Sequence, residues 1–158
     1  MSEERSGPKA DELVASIEQL SSQIVASSPI YGFVLQEVQI EQASSGGVTA
    51  LLPLTDRHSN SKAILHGSVT ATLVDWIGGL VIAAASSSPL QAKRGVSLDI
   101  HISYIGAAKA GQDLRIEGRA DKVGRSIAFI AVRLTAYDKG TNANGRLVAT
   151  ATHNKFIA

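Results

Sequence analysis

Residues 65–85 read LHGSVTATLVDWIGGLVIAAA, a His-Gly turn running directly into an apolar helix. Asp75 is the sole acid in that helix, and no other charge occurs from His66 to Ala92. A helix that is apolar on every side belongs inside a fold, wrapped by a sheet. An ionisable group in such a place is costly unless it is partnered or kept protonated. Asp75 is therefore either a satisfied buried acid or a working one.

Outward from this stretch, both flanks divide into recognisable elements. On the N-terminal side, Met1 to Lys9 is polar and reads as a frayed end. Leu13, Ile17, Leu20 and Ile24 recur at helical spacing over Ala10 to Ser27, which predicts an amphipathic helix that Ser28-Pro29 stops. Gly32 to Gln42 alternates as a strand, Ser44 to Gly47 is a turn, and Val48 to Leu54 is its hairpin partner. Thr55 to Lys62, TDRHSNSK, is a polar loop. Ser68 is the expected cap of the central helix over Ser68 to Ser86. The Gly78-Gly79 pair inside it costs about 1 kcal/mol per glycine relative to alanine, which predicts another backbone packed closely there.

On the C-terminal side, Val96 to Tyr104 alternates cleanly. Val96, Leu98, Ile100 and Ile102 are expected on one face, with Ser97, Asp99, His101 and Ser103 on the other. Ile105 to Gly111 is a turn or bulge. Strands over Gln112 to Lys122, Ser126 to Tyr137 and Arg146 to Phe156 follow, linked by turns at Val123 to Arg125 and Asp138 to Gly145. Helix, two strands, buried helix and four strands make an α+β fold whose antiparallel sheet curls around the central helix, with an extra helix at the N-terminus.

Composition narrows the function. The chain has 158 residues, 44% hydrophobic and 18% charged, which suits one globular domain. A formal net charge of +1 offers no charge-driven case for nucleic acid or an anionic membrane. Cysteine is absent, which removes disulfides, thiolate metal sites and a thiol nucleophile. His58, His66, His101 and His153 share no metal-ligand spacing, so no metal site is expected. Neither a GxSxG elbow nor a nucleotide-binding glycine motif occurs. Glu3 and Glu4 without an apolar run make a signal peptide unexpected. The apolar stretch is read as a core helix rather than a membrane insertion.

Two features remain that could carry chemistry. The helix N-terminus at Gly67 offers free N–H groups and the positive end of the helix dipole, from which an oxyanion hole can be built, although an ordinary capped helix start looks the same. Asp75 lies eight residues further on, about 12 Å along the axis. Its carboxylate cannot serve an acyl group held at its own helix N-terminus. It can serve one held by a second, antiparallel copy, so the spacing favours a dimer with shared sites.

Asn60, four residues, Leu65-His66-Gly67, seven residues and Asp75 form a pattern that resembles the hotdog-fold acyl-CoA thioesterases, of the phenylacetate-pathway and thioesterase superfamily member 2 type. The resemblance continues through Gly95 to Tyr104 (GVSLDIHISY), Ala107 to Gly111 (AAKAG) and Gly124 to Phe129 (GRSIAF), and covers roughly residues 30–156. It implies a hotdog domain over residues 30–158, preceded by a polar segment and helix over 1–29, and assembly into homodimers and homotetramers.

The resemblance also implies hydrolysis of an acyl-CoA thioester to free acid and coenzyme A, with no resident cofactor and no metal. Asp75 would be general base or nucleophile, the Gly67 N–H would polarise the carbonyl, Asn60 would position water or thioester, Ser97 would assist near Asp75, and His66 would sit beside the thioester. Tyr104, Ile105, Gly106, Ala107, Ala108 and Lys109, with Lys122, Val123, Gly124, Arg125 and Ser126, match the segments that contact coenzyme A. Lys109, Lys122 and Arg125 would meet its phosphates, or are simply solvated surface cations.

The alternatives are a hotdog hydratase or dehydratase and a non-catalytic acyl-CoA-binding protein. A cytoplasmic location is expected, with a mitochondrial one left open. Ser68 stands where the family commonly has a second glycine, Ala63 and Ile64 replace a glycine-containing turn, and a proline often found in the segment 105–107 is missing.

Overall fold

The computed structural model describes residues 10–158; the expectation for Met1 to Lys9 lies outside them. Helix α1 spans Ala10–Ser27, and its predicted stripe of Leu13, Ile17, Leu20 and Ile24 is buried. It packs on β1 and the central helix, so its apolar face joins the same core as the sheet.

Pro29–Val34 is a short helix, α2, and not the start of a strand. Pro29 sits in its first turn, where a fixed φ and a missing N–H do no harm, and the Ser28 hydroxyl accepts from the Tyr31 N–H at 3.5 Å. Strand β1 begins only at Gln39 and runs to Ser44, with a bulge at Glu41. It forms the expected hairpin with β2 (Gly47–Pro53).

The central helix, α3, spans Gly67–Ala84. Its N-cap is His66 rather than Ser68: the His66 Nδ1 accepts from the Ser68 N–H at 3.1 Å. Length and apolarity would let this helix cross a membrane, yet 72% of it is buried inside the fold. Strands β3 (Val96–Tyr104), β4 (Gln112–Val123), β5 (Ile127–Asp138) and β6 (Arg146–Phe156) complete a six-stranded antiparallel sheet in the order β1-β2-β4-β5-β6-β3. Strands β2 to β6 all touch α3, so the sheet curls around it.

Bulges deepen a sheet's local twist, and one of them overturns the expected faces of β3. Ser97 pairs with Lys155 and Asp99 with Asn154, so Leu98 is an extra residue. The alternation changes phase there. Ser97 points inward with Lys155, and beyond the bulge Ile100 and Ile102 point inward beside His153 and Ala151. The Gly78-Gly79 expectation also changes. Side chains, not backbone, lie against these glycines: a Cβ on Gly78 would stand 2.5 Å from the His153 Nδ1, and one on Gly79 3.4 Å from the Arg94 Cβ.

Candidate active site

Asp75 is not engulfed as the helix pattern suggested. Its side chain is 39% exposed, because it emerges where α3 meets the start of β3 and the α2 segment. Both carboxylate oxygens are engaged. The Tyr31 hydroxyl donates to Oδ2, and the Ser97 hydroxyl donates to Oδ1 at 3.2 Å. Burial, and then the bond to Asp75, push the Tyr31 hydroxyl pKa far above its ordinary value, so Tyr31 stays a donor.

The Ser97 oxygen also lies 2.8 Å from the His153 Nε2. His153 is fully buried, and burial lowers its pKa, with Lys155 adding to the effect against the opposing pull of Asp75. The ring is therefore neutral at pH 7. Ser97 has one proton to give, and the charge-assisted bond to the carboxylate takes it. This assigns the His153 proton to Nε2, which donates to Ser97. The ring's Nδ1 is left without a hydrogen-bond partner among the described residues. The result is a chain from His153 through Ser97 to Asp75.

At the N-terminus of α3, about 12 Å from Asp75 along the axis, stands a second group. His66 caps Ser68, and the helix's first intrahelical bond runs from the Thr70 N–H to the His66 carbonyl. The Gly67 N–H has no partner among the described residues. The Tyr104 ring packs over Gly67, and its hydroxyl donates to the Gly67 carbonyl at 3.0 Å. Asn60 builds the preceding turn: its Oδ1 accepts from the Lys62 N–H at 2.9 Å and the Ile64 N–H at 3.3 Å. Ala63 closes that turn with φ 57°, a left-handed conformation that glycine adopts freely and alanine does not. The loop is anchored by His58, whose Nδ1 accepts from the Thr55 N–H and whose Nε2 donates to the Val34 carbonyl at 2.8 Å.

The two segments assigned to coenzyme A do not meet within one chain. Tyr104 pairs with Ala149 at one end of β6, whereas Ile127, which follows the 124–126 turn, pairs with Phe156 at the other. Seven steps of strand separate these positions, about 23 Å. The segment 104–109 lies with Gly67 and Asn60, and the 122–126 turn lies with Asp75 and Ser97. Lys109, Lys122 and Arg125 are exposed. Ala108 is buried, and its carbonyl accepts from the Leu65 N–H, so its part is to hold the loop. Gly106 lies against β6, where a Cβ would stand 2.4 Å from the Leu147 carbonyl oxygen.

Comparisons with known proteins identify the family. The family described as "Thioesterase superfamily" matches residues 63–143, from the turn before α3 to the loop after β5. The chain belongs to the thioesterase superfamily. It is 33% identical over 124 residues to acyl-coenzyme A thioesterase 13 of Homo sapiens, covering 78% of this chain and 82% of that one. Zebra fish thioesterase superfamily member 2 superposes with a TM-score of 0.79 at 34% identity, covering 92% of this chain and 98% of the other. A Streptococcus pneumoniae thioesterase protein solved with coenzyme A gives 0.72 at 26% identity, covering 86% and 95%. The expected hotdog fold is thereby established, as is thioester hydrolysis as the class of reaction.

Within this thioesterase, sequence reading passed over Tyr31, Arg94 and Lys155 and gave His153 no role. Tyr31 falls between the expected helix stop at Ser28-Pro29 and the strand expected from Gly32, in a short helix that the sequence reading does not foresee. His153 and Lys155 carry a legible signal, because they continue the inward phase of Ala149 and Ala151 along β6. The glycine at 78 is the space that His153 needs.

Proposed function

We propose that the protein hydrolyses acyl-coenzyme A thioesters at sites shared between two subunits related by a two-fold axis. The observation that carries this reading is the separation of two half-sites along one helix. Asp75 with Ser97 and Tyr31 stands at one place, and the Gly67 N–H with Asn60 and Tyr104 stands about 12 Å away. A thioester carbonyl and the water that attacks it must be about 3 Å apart. Antiparallel pairing of two copies supplies that geometry, and two-fold dimers are the commonest assembly.

The edge strand supports the same arrangement. Among the described residues strand β3 pairs only with β6, and it exposes Val96, Leu98 and Tyr104 along its length. An uncovered apolar edge is a template for pairing with a second chain. Ile127, Phe129 and Phe156, exposed beyond it, offer a further apolar surface on which dimers join into tetramers.

In this reaction the thioester oxygen accepts the N–H of Gly67 of the partner subunit, which polarises the carbonyl. Asp75 takes a proton from water as the water oxygen attacks the carbonyl carbon. The intermediate collapses, the carbon–sulfur bond breaks, and coenzyme A leaves as a thiolate that is then protonated. Ser97 and Tyr31 hold the two oxygens of Asp75 in place. Coenzyme A then runs between segment 104–109 of one subunit and the 122–126 turn of the other. No resident cofactor takes part.

Release of free thiol from acyl-coenzyme A tests hydrolysis. Asp75→Asn keeps the volume and should lower the rate by at least ~10²-fold with folding retained. Mixing tests the sharing. Asp75→Asn protein is refolded with protein carrying Asn60→Ala and Gly67→Leu, each inactive alone. About a quarter of the wild-type activity per site should return, because random pairing makes about half the dimers mixed and each mixed dimer holds one intact site. Verified mixed dimers without activity would rule out a shared site.

A further inference from the structure

Beside Asp75 lies a cleft of about 430 Å³, a size within the range of small-ligand sites. Ile24, Trp76 and Ala92 give it apolar walls, and Arg94 and Lys155 both line it. Neither cation forms an ion pair with a carboxylate among the described residues, where the pairs found involve Arg115 and Arg119. Among the described residues Asp75 is the only acid lining the cleft, and Tyr31 and Ser97 already bond its two oxygens. Lys155 is only 6% exposed, and burial lowers its pKa. The Trp76 Nε1–H, from the same wall, is buried without a partner among the described residues. Lysine, arginine and the indole N–H only donate. A donor-rich cleft with a surplus of one positive charge lacks an oxyanion.

Distance sets where that oxyanion belongs. Lys155 is directly opposite Ser97 in the β3–β6 register, and Ser97 bonds the acid that would face the thioester. Directly opposed side chains on neighbouring strands begin about 5 Å apart. The Arg94 stem lies across Gly79, one helical turn beyond Asp75, and so marks the far side of the cleft. An anionic group held by these cations is only a few carbon atoms from the reacting carbonyl.

We propose that the cleft selects acyl groups ending in a carboxylate, so that the preferred substrate is a short carboxyacyl-coenzyme A. The inference rests on the hydrolysis assigned above and deepens it. Binding moves the carboxylate from water onto Arg94 and Lys155, where each bond is charge-assisted. The carboxylate takes no part in the bond changes. A neutral acyl chain of equal length leaves both cations unmatched.

The test compares glutaryl- with pentanoyl-coenzyme A and adipoyl- with hexanoyl-coenzyme A, pairs that differ only in the terminal group. The wild-type kcat/KM should favour the carboxylates at least ~10-fold, the low end for losing a bond to a charged group. Arg94→Met keeps the stem against Gly79 and removes the charge, and should bring the ratio toward one. Equal or faster hydrolysis of the neutral acyl groups by the wild type, or an Arg94→Met ratio unchanged from wild type, overturns the carboxylate pocket while leaving thioester hydrolysis standing. Absence of thiol release from all four substrates instead overturns hydrolysis itself.

Discussion

Two adjacent glycines in α3 should respond to the same substitution with opposite signs. Replacing a mid-helix glycine with alanine gains about 1 kcal/mol from the unfolded chain's lost freedom and the better helix former. At Gly79 nothing opposes that gain, since the new methyl would sit 3.4 Å from the Cβ of Arg94, an ordinary contact with an exposed side chain. Gly79→Ala should therefore stabilise by about 1 kcal/mol. At Gly78 the methyl would stand 2.5 Å from Nδ1 and 3.2 Å from Cε1 of His153, a ring with no exposed surface and no room to retreat. Overpacking of this kind costs about 1–3 kcal/mol, so Gly78→Ala should be destabilising by about 1 kcal/mol net. That corresponds to a fall in Tm of about 2–4 °C for a domain of this size. The displaced ring also loses its bond to Ser97, so thioester hydrolysis should fall in Gly78→Ala. Urea denaturation at a fixed protein concentration measures the stability, and thiol release measures the activity. If Gly78→Ala is as stabilising as Gly79→Ala and fully active, His153 is not wedged against the helix, and its place in the chain to Asp75 is wrong.

Two further outcomes concern the supports of the site. His58 and His153 are both buried with lowered pKa, so between their folded values and about 6.5 the unfolded chain binds more protons than the folded one. Stability should be complete above that pH and decline as pH falls below it, by up to about 1.4 kcal/mol per pH unit for each histidine. Urea midpoints between pH 7.5 and 5 should show the decline, with a shallower slope in His58→Gln; a flat profile would contradict the neutral assignments. Ala63→Gly should relieve the left-handed strain at φ 57°, worth about 1–2 kcal/mol, and lose somewhat less to chain entropy. A net gain of about 0.5 kcal/mol is expected, and a loss of stability would show that the Asn60 turn is not strained there.

The sequence by itself determined the parts list. Helix α1, the β1–β2 hairpin turn, α3 and the strands β3 to β6 were legible because each keeps one periodicity over many residues, and apolar spacing is the strongest local signal. The pattern around Leu65-His66-Gly67 and Asp75 also identified the chemistry. The expectation of two copies comes from helical rise, given that Gly67 and Asp75 both act on one thioester. Tertiary structure decided everything that depends on phase or on distant neighbours. The strand expected from Gly32 became α2 because Ser28 and Pro29 start a helix there, and this brings the Tyr31 hydroxyl to Asp75. A single extra residue at Leu98 turned Ser97 inward, a change that strict alternation hides. His153 entered the site only through the pairing of β6 with β3 and the gap left by Gly78. Residue spacing records contacts along one element. The meeting of Tyr31, Asp75, Ser97 and His153 arises from four elements brought together by burial of the core around α3, and no local pattern encodes that convergence.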